Sequence, residues 1–75
     1  MAERFLRYSL ENGRKIAVIL SMEGVFVRKN LTVTAISEDG TSFEALLPGR
    51  RHPVTIETGS ILTADYARGD HGDLE

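Results

Sequence analysis

Cysteine and tryptophan are missing from this 75-residue chain, and proline occurs only twice. Without cysteine there is no disulfide and no thiolate zinc site to hold a small domain together. Long apolar stretches are missing too. The runs at residues 16–20 and 25–27 fall far short of the ~20 residues of a membrane helix. The opening Met1, Ala2, Glu3 and Arg4 has no apolar segment behind a basic end, so no signal peptide and no membrane partner are expected. A cysteine-free chain suits a reducing compartment, and the expected location is cytoplasmic.

A strong excess of one charge is also absent. Nine basic and eleven acidic residues give a net charge of −2. Residues 1–68 hold all nine bases and eight acids, whereas residues 69–75 add Asp70, Asp73 and Glu75 with no base. This predicts one domain over 1–68 and a flexible acidic tail over 69–75. A near-neutral body argues against a globally basic nucleic-acid protein and leaves local clusters as the only electrostatic route to one. A domain of this size buries only about 60% of its unfolded surface, so oligomerisation is the remaining common means of stabilisation.

What the chain does have is β-branched residues and regularly spaced glycine. Val, Ile and Thr make up sixteen residues, all within 16–63, and six of the seven glycines fall at 13, 24, 40, 49, 59 and 69. Turn signals at such intervals between β-branched runs indicate an all-β sandwich or barrel. Asn12-Gly13 and Asp39-Gly40 are the dipeptides favoured in two-residue type I′ hairpins. Pro48-Gly49 suits the centre of a type II turn. Between these turns Ile16, Val18, Leu20 and Met22 share a face, as do Leu31, Val33 and Ala35, and Phe43, Ala45 and Leu47. Such alternation fits a half-buried antiparallel sheet. Residues 25–38 are too long for one flat strand and predict a strand bent at 28–30 that serves two sides of a barrel.

The first segment reads two ways. Leu6, Tyr8 and Leu10 alternate into Asn12-Gly13, which favours a strand. Glu3, Arg7 and Glu11 stand at helical i, i+4 spacing with Gly13 as a possible C-cap, which favours a helix. The strand is preferred, because Asn12-Gly13 lies between two alternating runs. The expectation is an all-β antiparallel meander of five or six strands closing into a small barrel.

The stretch Leu10-Glu11-Asn12-Gly13-Arg14-Lys15-Ile16 is similar to the opening hairpin of Sm-like proteins, where a polar-Asn-Gly-basic turn joins the first strands. Residues 54–64, two short strands about Gly59-Ser60, resemble their closing pair. The whole chain also resembles short bacterial proteins of unassigned activity that end like Tyr66-Ala67-Arg68-Gly69-Asp70. The resemblance covers most of residues 5–67 and implies an SH3-like or Sm-like barrel. It does not extend to the RNA-reading Asp and Asn of the Sm signature, for which Glu23 and Asn30 are the nearest counterparts.

In an up-and-down meander successive tips alternate between the two ends of the sheet. Arg28, Lys29, Arg50, Arg51 and His52 are then expected at one end, with Phe26 as a stacking platform for a base. Arg14 and Lys15 are expected to face Glu38 and Asp39 at the other end and cancel. The opposing reading makes these solvated loop charges, neutralised by Glu23 and the acidic tail. His52, between Arg51 and Pro53, reads as an exposed loop histidine. Asp65, Asp70, His71 and Asp73 look like metal ligands, yet Gly69 and Gly72 leave them unfixed, so no metal is expected. Arg68-Gly69-Asp70 is read as a chance string. Phe5, Tyr8, Phe26, Phe43 and Tyr66 are the only aromatics, and most of them are expected in the core.

No phosphate-loop, HExxH or paired-cysteine motif is present, and no serine has the context of an activated nucleophile. The expectation is no enzyme and no cofactor. Two functions follow: a module touching RNA or single-stranded DNA through its basic end, or an interaction module that assembles, as a homo-oligomer, through exposed edge strands.

Overall fold

Phe5, Tyr8 and Ser9 recur at helical spacing beside Leu6, and the structure answers that spacing rather than the alternation. The computed structural model describes residues 2–72. It places a helix, α1, over Glu3–Asn12, with Leu6 and Ser9 buried and Phe5 and Tyr8 half-buried. Glu3 and Arg7 pair across one turn at 3.6 Å. Gly13, at φ +64°, ends the helix by donating its N–H to the Ser9 carbonyl at 2.8 Å. The preferred strand at 5–10 is therefore corrected. Positive φ at glycine serves a helix C-cap as well as a hairpin, and the i, i+4 pair and the buried face decide for the helix.

Five strands follow: β1 (Ile16–Met22), β2 (Val25–Ile36), β3 (Ser42–Leu46), β4 (Val54–Glu57) and β5 (Ile61–Tyr66). They form one antiparallel sheet in the order β4-β3-β2-β1-β5. The β-rich antiparallel expectation holds, with one helix added. β4 and β5 are its two edges, and among the described residues no ladder joins them.

The type I′ turn lies at neither expected dipeptide. Glu23 and Gly24, at φ +51° and +82°, are the consecutive left-handed pair that such a turn requires. They join Met22 to Val25, which face each other across the ladder. At Asp39-Gly40 only glycine has positive φ. That loop is instead held by Asp39, whose carboxylate accepts from the Ser37 hydroxyl at 2.8 Å and from the Thr41 N–H and hydroxyl at 3.1 and 2.8 Å. Those donors stabilise the ionised form and lower the Asp39 pKa to about 2. Leu47-Pro48-Gly49-Arg50 forms the expected type II turn, with Gly49 at φ +80° and an Arg50 N–H to Leu47 carbonyl bond of 3.1 Å.

β2 is the long shared strand, twelve residues in length. Its first half, up to Leu31, pairs with β1, and from Thr32 onward it pairs with β3. The change of partner comes just beyond the expected bend at 28–30, and an irregularity between Val33 and Ala35 follows it. Such irregularities add twist and curl the sheet. The inner face collects Ile16, Val18, Leu20, Leu31, Val33, Phe43 and Ala45 with Leu6 of the helix into one buried cluster.

The buried polar residue in this core is Ser9, with 0% exposure. Its hydroxyl donates to the Arg14 carbonyl at 2.6 Å and accepts the Val33 N–H at 2.8 Å. The helix is thus pinned to β2 at the point where the ladder to β3 loses register. Ser9→Ala strands a buried N–H and will cost about 1–3 kcal/mol in denaturant unfolding. A loss below a few tenths of a kcal/mol would contradict this role for Ser9.

Candidate nucleic-acid interface

Side chains on β2 alternate across the sheet, and this divides the expected basic cluster. Val27, Lys29 and Leu31 face inward with Leu20, Val18 and Ile16 of β1, whereas Phe26, Arg28 and Asn30 lie on the outer side with Ser21, Ile19 and Ala17. Lys29 and Arg50 meet at one groove of about 480 Å³, whose walls include Leu20, Met22, Val54 and Ile56 and whose rim carries Glu23 and Glu57. The groove lies where the curled sheet brings the end of β1 opposite the β4 edge. Arg51 and His52 are exposed in the connection after Arg50. Arg28 is exposed on the opposite face from Lys29. The expected single cluster is in fact an inner pair, Lys29 and Arg50, and an outer pair, Phe26 and Arg28.

Four of the five aromatic residues take core or partly buried positions: Phe43 is buried and Phe5, Tyr8 and Tyr66 are half-buried. Phe26 is the exception at 72% exposure. Met22 and Val25 are also exposed, but they pair on the other side of the sheet. An exposed phenyl ring two residues from an exposed arginine on one strand face is a surface that can stack a base and contact its phosphate.

Arg14 does not cancel Glu38 or Asp39 as expected. It pairs with Asp70 at 3.3 Å, and Asp39 is engaged by its own turn. Asp70 accepts from the Tyr8 hydroxyl at 2.6 Å and the Gly72 N–H at 2.9 Å. The Tyr8 hydroxyl, then the Gly72 N–H, then the Arg14 charge hold the Asp70 carboxyl below its ordinary range. Tyr66 meets Phe5 and Tyr8 edge-on, each with ring centroids 5.0 Å apart. The segment expected as a flexible tail therefore carries an anchored Asp70. Asp73 and Glu75 lie outside the described residues. Among the described residues no three His, Asp or Glu side chains are grouped to hold a metal.

The anchored Asp70 borders a dish with Arg14, Lys15, Ala67, Arg68 and Gly69, about 380 Å³ in volume. Lys15 and Arg68 are exposed there and form no ion pair among the described residues. The sequence carries no local signal for this dish, because it depends on a contact between residues 56 positions apart. No described helix is long and apolar enough to cross a membrane. In comparisons with known proteins no family model matches the chain, and no curated protein or solved structure matches it significantly.

Asp70 and Asp39 both have lowered pKa values, so their contribution to stability is present above the ordinary carboxyl pKa and lost as pH falls through the lowered one. Thermal melts will therefore fall steeply below about pH 4. Asp70→Asn will flatten that fall while lowering stability at neutral pH. An acid profile identical to that of the unaltered chain would contradict the Tyr8–Asp70–Arg14 contact.

Proposed function

We propose that this chain is a non-enzymatic small β-barrel module that binds single-stranded RNA or DNA weakly. The observation that carries this reading is Phe26, exposed at 72% on the outer face beside Arg28. Lys29 and Arg50 at the groove on the other side of the sheet, with Arg51 and His52 in the connection beyond, add a second cationic surface. The near-neutral body makes such binding local and electrostatic, hence weakly selective. An SH3-like or Sm-like barrel is the finer fold reading. The twelve-residue β2 shared by two ladders supports it, with the groove as the seam between β1 and β4. A cytoplasmic location and independence from cofactors belong to the same reading. The hydroxyls of Ser9, Ser37 and Ser60 already donate to nearby carbonyl or carboxylate oxygens.

Fluorescence anisotropy with random single-stranded RNA and DNA at about 50 and 200 mM salt tests the proposal. Binding will be present at low salt and fall steeply at the higher salt. Phe26→Ala will cost about 1–3 kcal/mol, the usual worth of one stacked base. Arg50→Ala with Arg51→Ala will weaken binding further. An undetectable interaction at low salt, or full affinity without Phe26, would sink the proposal.

The unpaired β4 and β5 edges favour a second reading, self-assembly by strand addition between copies. β4 meeting β5 of the next copy would grow head to tail into a ring or filament, and either edge meeting its own counterpart about a two-fold axis would close a dimer. Light scattering at high protein concentration will then give a mass above one chain. A strictly monomeric mass contradicts self-assembly.

A further inference from the structure

From the layout of the outer face we infer that a bound nucleic-acid strand runs along β2, from Phe26 and Arg28 to a second cationic contact at Lys15 and Arg68. The path presupposes the nucleic-acid binding proposed above and gives it a direction and a far end. Phe26, Arg28 and Asn30 stand on one side of β2, all exposed, with Thr32 next in the same alternation. At ~3.3 Å per residue the row from Phe26 to Thr32 spans about 20 Å. That length suits about four nucleotides, the lower end of the site sizes seen on small β folds.

The far end of the row is basic. Ile16 pairs with both Leu31 and Tyr66, so the residues just before β1 and just after β5 meet beside that part of β2. These residues include Lys15 and Arg68, which share the open dish with Arg14. Asp70 is compensated locally by Tyr8, Arg14 and the Gly72 N–H. Lys15 and Arg68 therefore leave the dish cationic. The helix does not obstruct the route, since it packs through Leu6 onto the inner core.

Acids border the path on both sides: exposed Glu44 on the outer side of β3, two residues from the Leu46 that pairs with Thr32, and Asp65 on β5. Asp65 lies on the outer side of β5, in the row of Ala17 and Asn30. It stands two strands from β2, about 10 Å away. Its charge repels phosphate from the β5 edge and confines the strand to β2.

The test compares salt dependence of binding to a random single-stranded hexanucleotide and a longer oligonucleotide. Lys15→Ala with Arg68→Ala will lower affinity about tenfold at low salt. It will also reduce the slope of log affinity against log salt by about 1.4, which is two phosphate contacts on a single strand. Lys15→Gln with Arg68→Gln will do the same and serves if the alanine variant unfolds. Asp65→Asn will tighten binding. Arg4→Ala with Arg7→Ala removes the same net charge from the exposed face of the helix and will leave the slope unchanged. If the unaltered protein binds and the Lys15/Arg68 variants match the Arg4/Arg7 control, the path is wrong while binding at Phe26 stands. If the unaltered protein does not bind at low salt, the nucleic-acid reading falls and the path with it.

Discussion

The division of labour along β2 governs the rest of this molecule. A twelve-residue strand that changes partner at Leu31 and Thr32 belongs to two ladders at once, and the loss of register near Val33 is where it turns. A backbone N–H at such an irregularity needs an acceptor, since a buried orphan donor costs free energy comparable to a lost hydrogen bond. The Ser9 hydroxyl supplies that acceptor from the helix. One small side chain therefore fixes where the sheet bends and where the helix sits. With the helix pinned on the inner side, the inward residues of the strands close into one core. The outward residues of β2 stay bare.

That separation explains why neighbouring cations serve different surfaces. Arg28 and Lys29 are adjacent in sequence yet lie on opposite sides of the sheet. Phe26 follows Arg28 to the outside, and Arg50 joins Lys29 at the groove. A small β domain has few large side chains to spare, and the other four aromatics here take core or partly buried positions. The placement of one phenyl ring in solvent is the feature of this surface that packing does not explain.

Much of the sheet was legible in the sequence, and the reasons for the remainder are specific. Alternation at 16–20, 31–33 and 43–47 identified inward residues, because side-chain period is a local property of a strand. Pro48-Gly49 fixed its turn for the same reason. Past the register shift Ala35 pairs with the outward Glu44 and Ile36 takes the inner place opposite Phe43, which no local period shows. The helix at 3–12 was weighed and set aside because Asn12-Gly13 serves both a hairpin and a C-cap, and only the burial of Leu6 and Ser9 separates them. Gly24 marked a turn, but the type I′ hairpin at Glu23-Gly24 carried no favoured dipeptide, since glutamate seldom adopts positive φ. Of the candidate site residues, Phe26 and Arg28 could be placed on one face from the period of two. The meeting of Lys29 with Arg50 followed in part from the meander. The Tyr8–Arg14–Asp70 contact and the Lys15–Arg68 dish are tertiary, and no local pattern encodes them.

The most direct measurement is a backbone amide NMR titration of the labelled protein with a short single-stranded oligonucleotide. The account predicts shifts concentrated at Phe26, Arg28 and Asn30 and at their outer-face neighbours Ser21, Ile19 and Ala17, with the inner-core amides of Val18, Phe43 and Ala45 unmoved. Shifts confined to the β4 edge and the groove, or none at all, would contradict it.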